Sequence, residues 1–230
     1  MGTIKGGYKW LGAKIGGNSV NGIAKGGNVI YKKIDPTLIL DCDLSSNLLD
    51  SSSYLNHATM VGTETHSLGG LVTSTGNYAY IPNKTSLDFG TGSLRFGCTI
   101  KFNSITGTKG IIGKTIAGHV IGRYGILLDL NNIYGITQLT AGTFLNEIAA
   151  STYNDGNFHT IEVVCNRTTG KQTLTIDGVL INTTSFTPSY DNLAANARFM
   201  IGAYGNSTGT GLLASSELNG IIKDVFVNKF

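Results

Sequence analysis

The carboxylates of this sequence are not paired in the way that hydrolysis of a glycosidic bond requires. That reaction uses two carboxyl groups flanking the sugar, about 5 Å apart when the configuration is retained. Each of the four glutamates stands without another acidic residue two positions away: Glu64, Glu147, Glu162 and Glu217. Composition alone leaves a Ser-His-Asp hydrolase open. We nevertheless expect no enzymatic activity and assign no catalytic residue.

His159 is the histidine whose surroundings most invite a catalytic interpretation. It follows the turn-forming pair Asp155-Gly156 and sits next to Phe158, at the start of a run with strand character. A histidine in this position is more often part of the frame of a sheet than a general base. We therefore expect a structural role for His159.

Three cysteines, Cys42, Cys98 and Cys165, all lie in apolar runs that resemble strands. An odd count without C-x-x-C spacing favours buried free thiols made in a reducing compartment. One disulfide plus a spare thiol is the alternative. The four histidines are scattered and none stands at ligand spacing from a cysteine, so we expect no zinc site and no required cofactor.

The positive charge of this sequence belongs to its first residues. Residues 1–33 hold six lysines and no acidic residue, which leaves 11 of the 17 basic residues against all 14 acidic ones, a net charge of −3. The body is therefore not expected to bind nucleic acid. No run approaches the ~18 apolar residues of a membrane span. The first residues also lack the apolar region of a signal peptide, so we expect no export and no membrane association.

A repeat of ten residues occupies the same segment. Gly-Gly occurs at positions 6–7, 16–17 and 26–27, and the residues Trp10, Val20 and Ile30 are apolar. Such a period suits one short strand and one glycine turn, repeated three times. This small unit needs a partner surface for its apolar column, so we predict that these three residues mediate assembly. A flexible glycine-rich leader is the alternative.

The rest of the chain reads as strands joined by turns. Charged residues make up 13% of the chain, glycines number 32, and no amphipathic helix of useful length is found. A meander is predicted at Phe158–Cys165 and Lys171–Ile176, with turns at 166–170 and at Asp177-Gly178. The other predicted strands are Leu38–Leu44, Ala58–Gly62, Tyr78–Pro82, Arg95–Phe102, Gly110–Lys114, Tyr124–Leu130, Ile133–Leu139, Glu147–Ser151, Arg198–Tyr204 and Gly220–Asn228. We predict an all-β, antiparallel two-sheet sandwich over residues 35–230, preceded by the repeat segment at residues 1–34.

Six segments, in order, resemble those of the concanavalin A-like jelly-roll superfamily, and in particular its laminin-G-like domains. They read LDSSSYLNHAT at 49–59, GNYAYIP with LDF at 76–89, SLRFGCTIKF at 93–102, DGNFH with DG at 155–178, FMIGA at 199–203 and LNGIIKDV at 218–225. The likeness covers about residues 38–229. It implies a jelly-roll sandwich, and it strengthens the structural role of His159, since noncatalytic relatives share that motif.

The resemblance also implies a calcium site. Asp50 and Asn56 of the opening loop, with Asp224 near the end of the chain, are the residues that would gather oxygen atoms around Ca²⁺. The opening loop has lost both glycines of the family pattern, so its backbone is expected to differ. The alternative is that Asp50 and Asn56 form Asx turns, with Asp224 an exposed strand carboxylate.

The resemblance to lectin-like domains further suggests a glycan site in an outer loop. The segment that begins at Tyr204 offers an aromatic ring, an amide and hydroxyl groups, which are the groups a sugar site uses. We predict that the glycan-binding residues are Tyr204, Asn206, Ser207 and Thr208. A solvated loop is the alternative.

Two functional classes follow from these observations. The first is a structural or attachment component of a virus particle, such as a bacteriophage fibre, tail or capsid-decorating protein. Its partners would be other virion proteins, further copies of itself and host surface glycans, and its location the virion. The second is a carbohydrate-binding or adhesive module of a cellular protein, which would normally carry an export signal.

Overall fold

The computed structural model describes residues 3–4, 8–11, 22–25, 28–32, 35–103, 105–118, 120–140, 144–149, 153–188 and 191–230. The chain forms two compact units, Met1–Pro36 and Thr37–Phe230. The boundary expected from the sequence lies two residues earlier, between residues 34 and 35.

The first unit contains a four-stranded antiparallel sheet in which the strands follow their sequence order. Its strands are β1 (Thr3–Ile4), β2 (Tyr8–Leu11), β3 (Gly22–Lys25) and β4 (Asn28–Lys32). Each Gly-Gly pair of the sequence repeat falls between two of these strands. Trp10 pairs with Ile23 across β2 and β3, and Ile30 belongs to β4, whereas Val20 lies outside the described residues. The role of these three residues in assembly stays a prediction.

The second unit is built from fifteen further strands and one 3₁₀ turn, Thr85–Leu87. The strands are β5 (Leu38–Cys42), β6 (Thr59–Val61), β7 (His66–Ser67), β8 (Gly70–Thr73), β9 (Tyr78–Ile81), β10 (Leu94–Phe102), β11 (Thr108–Lys114), β12 (Tyr124–Asp129), β13 (Asn132–Gln138), β14 (Phe144–Ala149), β15 (Phe158–Asn166), β16 (Lys171–Ile176), β17 (Val179–Ser185), β18 (Phe199–Ile201) and β19 (Gly220–Lys229).

These strands form two antiparallel sheets, as the sequence predicts. The first sheet has the order β17-β16-β15-β10-β19-β8-β7, with β5 also paired to β19, and the second has the order β14-β13-β12-β11-β18-β9-β6. β19 therefore lies beside β10 although the two strands are far apart in sequence. None of the described residues forms a helix long and apolar enough to cross a membrane.

The core lies between the two sheets. Every second residue of β10 from Leu94 to Phe102 is apolar and buried, because successive side chains of a strand point to opposite faces. Gly97 and Thr99 of the other face are also buried. The ring of Phe96 in the first sheet lies 5.1 Å from that of Tyr124 in the second. The Tyr124 hydroxyl donates a hydrogen bond of 2.8 Å to the carbonyl of Leu87, so this buried polar group is satisfied.

All three cysteines are buried in this core, as predicted. Burial raises the pKa of Cys42 and Cys98, and it raises the pKa of Cys165 to about 12. These thiols are therefore protonated at neutral pH and pack as small apolar side chains.

The predicted meander is confirmed. β15, β16 and β17 pair in succession, and Gly170, in the first turn, has a φ of 63°. At the second turn, Asp177 and Gly178 have φ values of 52° and 76°. Two successive positive values suit a tight hairpin turn, whose twist matches that of the flanking strands.

Candidate functional site

A cleft of about 210 Å³ opens where β10 ends and β19 begins. Phe102, the last residue of β10, pairs with Gly220, the first of β19. Asn103 follows the one strand and Asn219 precedes the other, so antiparallel pairing brings the two amides to the same end of the sheet. The residues that line the cleft are Val72, Lys101, Phe102, Asn103, Asn219, Gly220 and Ile221.

Both amides of the cleft are available to a ligand. The side chains of Asn103 and Asn219 are exposed, and neither forms a hydrogen bond with another residue that the structure describes. A primary amide donates two hydrogen bonds and accepts two. The end of the sheet therefore presents unused donors and acceptors beside an apolar floor.

A row of side chains crosses the outer face of the first sheet beside these amides. Lys101 pairs with Phe158 on one side and with Ile221 on the other, and Ile221 pairs in turn with Val72. The ammonium nitrogens of Lys101 and Lys223 lie 5.8 Å and 4.3 Å from the centre of the Phe158 ring. The ring thus holds two cations near the mouth of the cleft.

The charges of these two lysines are not balanced by neighbouring acids. Within the described part of the chain, neither Lys101 nor Lys223 belongs to an ion pair. Another cation of the same face is balanced, because Arg95 lies 2.5 Å from Glu162. The region around the Phe158 ring is therefore locally positive.

His159 anchors the loop that borders the cleft. Its Nδ1 lies 2.7 Å from Oδ2 of Asp177, and its Nε2 lies 3.0 Å from Oδ1 of Asp155. Burial lowers the pKa of His159, but the hydrogen bonds with Asp177 and Asp155 outweigh burial, so the pKa is raised. Both ring nitrogens are engaged, which supports the structural role expected from the sequence.

Gly156, in the loop before β15, lies next to Asn103 of the cleft. A Cβ atom placed on Gly156 would lie 3.0 Å from Oδ1 of Asn103. Asp155 also accepts hydrogen bonds from the backbone and side chain of Asn157, and these bonds lower its pKa to about 2. The clamp formed by Asp155, His159 and Asp177 thus fixes one wall of the site.

The predicted glycan-binding residues do not form a common surface. Tyr204 is only 7% exposed, and its hydroxyl accepts a hydrogen bond from Arg123 and lies within bonding distance of the Ile116 carbonyl. Its ring therefore packs inside and does not present a platform to a sugar, so its burial favours the alternative, and glycan binding by these residues stays a prediction. Ser207 and Thr208 are exposed, while Oδ1 of Asn206 accepts a hydrogen bond from the Thr208 hydroxyl.

Residues 205–209 read Gly-Asn-Ser-Thr-Gly, which has the letters of a G-x-S-x-G nucleophile elbow. That motif needs a sharp turn between a strand and a helix. Here the residues from 205 to 219 form turns and an isolated bridge, and none of them is helical. The segment lacks the context that would activate Ser207.

Asp50, the first of the residues predicted for calcium, has its carboxylate occupied by donors of the protein. Oδ1 of Asp50 accepts hydrogen bonds from the backbone N–H groups of Asp41 and Ser52, at 2.8 and 2.9 Å. Oδ2 accepts bonds from the Ser52 hydroxyl and from the N–H of Asn56, at 2.7 and 2.6 Å. Protein donors already occupy both carboxylate oxygens, and the bond to Ser52 N–H is that of an Asx turn.

Of the other two predicted ligands, Asn56 has its side chain engaged elsewhere, and Asp224 lies on another element of the sheet. The amide of Asn56 donates to the Ile39 carbonyl and accepts from Ser86, at 2.8 and 3.1 Å. Asp224 is exposed on β19, where its backbone N–H donates to Asp43. No group of three or more acidic, histidine or cysteine residues that could hold a metal is found among the described residues. The geometry favours the Asx-turn alternative, and calcium binding stays a prediction.

In the opening loop, one leucine adopts a backbone conformation that is typical of glycine. Leu55 has a φ of 49°, in the left-handed region that leucine rarely adopts. At Leu55 the backbone thus adopts a conformation that glycine accepts more readily, and the expected difference from the family loop stays a prediction. Three apolar side chains of the same loop are exposed, with exposed fractions of 57, 48 and 61%: Leu49, Tyr54 and Leu55.

The chain is similar to known binding domains. The Laminin G domain family model matches residues 126–230. The binding domain of botulinum neurotoxin DC in complex with rat synaptotagmin II superposes with a TM-score of 0.63 at 14% identity, covering 85% of this chain and 49% of that one. A botulinum neurotoxin type C structure, whose title describes cell entry dependent on two ganglioside molecules, superposes with a TM-score of 0.63 at 14% identity, covering 84% and 47%.

A third structure, the binding domain of serotype D/C VPI 5993, gives a TM-score of 0.62 at 13% identity, covering 84% of this chain and 48% of that one. The chain spans about half the length of these structures. At such identities the likeness concerns the fold, a laminin G-like jelly-roll sandwich that is typically non-catalytic. No curated protein matches the sequence.

Proposed function

We propose that this chain is a non-enzymatic attachment module whose sandwich binds carbohydrate in the cleft between β10 and β19. The observation that carries this proposal is the pair of amides of Asn103 and Asn219 beside the ammonium of Lys101: among the described residues the amides have no hydrogen-bond partner and the ammonium has no ion-pair partner. A binding site typically combines an apolar lining with a few convergent polar groups. The cleft has this composition.

A sugar ring suits the two kinds of surface that meet at the cleft. Its hydroxyl groups both donate and accept hydrogen bonds, as the Asn103 and Asn219 side chains do. One face of a sugar ring carries C–H groups, which can pack on apolar side chains such as Val72 and Ile221. The amides would then fix the orientation of the sugar, and the apolar row would supply contact area.

We propose a non-enzymatic module because the imidazole, thiol and carboxylate groups that could act in catalysis are engaged, protonated or absent from the described lining of the cleft. Both ring nitrogens of His159 are held by carboxylates, and burial raises the pKa of the three thiols. No carboxylate is among the residues that line the cleft. A bound glycan would therefore meet groups that hold it and no pair that would hydrolyse it.

We further propose that the module belongs to a virus particle, as a bacteriophage fibre, tail or capsid-decorating component. It is supported by the first unit, Met1–Pro36, which has its own sheet and the Gly-Gly repeat. We propose that this unit joins the sandwich to other virion proteins or to further copies of the chain. The sandwich would then carry the glycan-binding surface of the virion.

A glycan array probed with the full chain in multivalent form tests the proposal. We expect bound glycans, and we expect Asn103→Ala and Asn219→Ala to weaken their binding by about tenfold each, the effect of one or two lost hydrogen bonds. Asn182→Ala, which removes an exposed amide from β17, is the matched control and should bind normally. An array without hits would contradict the proposed function.

A further inference from the structure

We infer that the glycan bound in this cleft carries an anionic group, a carboxylate or a sulfate ester, which Lys101 and Lys223 hold between them. The inference rests on the proposed function and specifies its ligand. It is carried by two ammonium groups that meet at one aromatic ring beside two free amides.

The sheet register brings the two lysines together. Lys101 of β10 pairs with Ile221 of β19, and Thr99 pairs with Lys223. Lys101 and Lys223 are therefore diagonal neighbours on one face of the sheet, a separation that long side chains can bridge. Their ammonium nitrogens lie 5.8 and 4.3 Å from the centre of the Phe158 ring, so both cations are neighbours of the same ring.

Three of the nearby acids serve other partners, and the fourth, Asp224, follows Lys223 in the chain but forms no ion pair with it among the described residues. Glu162, on the same face, lies 2.5 Å from Arg95. Asp155 and Asp177, on the neighbouring loop and turn, hold the ring of His159 between them. Within the described residues, Lys101 and Lys223 thus form a pair of like charges without a counter-ion, a state that a bound anion relieves.

The Phe158 ring gives the pair a fixed position. An ammonium over an aromatic face is attracted by the negative face of the ring, so each lysine keeps its charge near the cleft instead of extending into solvent. Phe158 itself follows the loop that the His159 clamp fixes. The two cations are therefore positioned before a ligand arrives, which lowers the entropy lost on binding.

The amides complete a site for an acidic sugar rather than for a simple ion. Asn103 and Asn219 lie at the same cleft as Lys101, and they can bond the hydroxyl groups of the ring that carries the anionic group. Carboxylate and sulfate oxygens share the chemistry that an ammonium recognises. An acidic peptide offers the same charge without ring hydroxyls. Carboxylated glycans, sulfated glycans and acidic peptides can be told apart by their binding on one array.

An array of matched pairs tests this inference with the full chain. Each pair holds an acidic glycan, carboxylated or sulfated, and the same glycan without its charge, and acidic peptides are printed beside them. We expect the acidic members to bind at least about tenfold more tightly than their partners. Their binding should weaken as salt rises from about 0.15 M to about 1 M. Which members bind, carboxylated or sulfated, identifies the anionic group.

Substitutions show whether the two lysines hold the charge. We expect Lys101→Gln and Lys223→Gln each to weaken binding of the acidic members by about tenfold. Binding of the uncharged partners should fall much less, and Lys223→Gln, which lies outside the lining of the cleft, should change it least. Lys101→Arg keeps the positive charge and should retain most of the binding. Lys171→Gln makes the same charge change on β16, two strands from β10 in the same sheet, and should have no effect.

The outcomes separate this inference from the proposed function. Equal binding of charged and uncharged partners would overturn the anionic ligand and leave the glycan-binding function standing. Acidic binding that survives both lysine substitutions would also overturn it, because other cations, such as the lysines of residues 1–33, would then be responsible. An array on which only peptides bind, or nothing binds, would remove the proposed function itself.

Discussion

The imidazole of His159 is tied to the carboxylate of Asp177, with 2.7 Å between Nδ1 and Oδ2. His159 belongs to the start of β15 and Asp177 to the turn between β16 and β17, so the bond joins the first strand of the meander to its second turn. Because these bonds favour the charged imidazole, the pKa of His159 in the folded protein is raised. Protonation and folding are therefore coupled at this residue.

We expect the clamp to stabilise the protein more at low pH than at high pH. A raised folded-state pKa gives a contribution that is complete below the unfolded value of about 6.5. The contribution is lost as the pH rises through the folded-state pKa. The two carboxylates are 43 and 46% exposed, so solvent screening keeps the effect small.

The measurement is urea denaturation of the natural protein and of His159→Gln between about pH 5.5 and about pH 9. The difference in unfolding free energy between them should shrink as the pH rises. Lys171→Gln removes an exposed charge from β16 and is the control, because its effect should not change over this range of pH. A difference that stays constant with pH would rule out the charged clamp.

A second ion pair is buried at the end of β11. The side chain of Lys114 is 0% exposed, and its ammonium bonds to the carboxylate of Asp88 and to the Lys84 carbonyl. Burial lowers the pKa of Lys114 even though Asp88 raises it. We expect Asp88→Asn to cost about 3 kcal/mol of unfolding free energy, since it leaves a buried ammonium without a counter-charge.

The double variant Lys114→Met with Asp88→Asn should lose less, because it removes the buried charge as well. Glu162→Gln breaks the exposed pair with Arg95, whose side chains are 27 and 48% exposed, and should cost no more than about 0.5 kcal/mol. Urea denaturation measures the unfolding free energy of Asp88→Asn, of the double variant and of Glu162→Gln. A double variant less stable than Asp88→Asn alone would contradict this account.

The opening loop offers a stabilising substitution. Leu55 is 61% exposed and has a φ of 49°, so its side chain packs little while its backbone is strained. We expect Leu55→Gly to raise the unfolding free energy by about 0.5 kcal/mol, because relief of the left-handed strain exceeds the extra entropy of glycine in the unfolded chain.

Leu49→Gly is the matched control for this change. Leu49 is 57% exposed in the same loop and does not have a positive φ, so glycine there should destabilise the protein by a similar amount. Thermal denaturation of both variants is sufficient. If Leu55→Gly lowered the melting temperature as Leu49→Gly does, Leu55 would have to contribute packing.

Much of the fold could be predicted because its signals are local. The alternation of β15 and β16 and the turn at Asp177-Gly178 lie within a few residues of one another, and each implies its structure through backbone sterics alone. The strand Glu147–Ser151 was placed less well, since β14 spans Phe144–Ala149. Its boundaries depend on pairing with β13, which a single segment does not reveal.

The candidate site could not be predicted because it depends on long-range pairing. Asn103 and Asn219 belong to distant parts of the chain, and only the register of β10 with β19 brings their amides together. The burial of Tyr204 could not be predicted for the same reason. It packs with Leu127 and Ile136, so a loop that looks solvated in the sequence covers the outer face of the second sheet.

The carboxylate of Asp50 decides between a structural loop and a calcium site. It is 2% exposed and accepts hydrogen bonds from three backbone N–H groups and one hydroxyl. We expect Asp50→Ala to cost about 3 kcal/mol of unfolding free energy, because several buried donors would lose their acceptor. Asp43→Ala removes an exposed carboxylate that accepts one such bond, from Ser45, and should cost about 0.5 kcal/mol.

Calcium itself can be tested on the same protein. Because protein donors occupy both oxygens of Asp50, we expect no heat on titration with Ca²⁺ and no change of melting temperature with a chelator. Heat that is absent from the Asp50→Ala titration would restore the calcium site at this loop.

The first unit gives the last prediction, which concerns assembly. Met1–Pro36 forms its own sheet and carries six of the lysines, while the core and the cleft belong to Thr37–Phe230. We expect deletion of residues 1–36 to leave the strand content and thermal transition of the sandwich intact and to convert an oligomeric chain into a monomer. Circular dichroism tests the fold, and size-exclusion chromatography with light scattering gives the mass. As a milder variant, Trp10→Ser with Ile30→Ser keeps the chain length and should also weaken assembly, since it removes two residues of the predicted apolar column. A truncated chain with the same oligomeric mass as the full chain would show that assembly belongs to the sandwich.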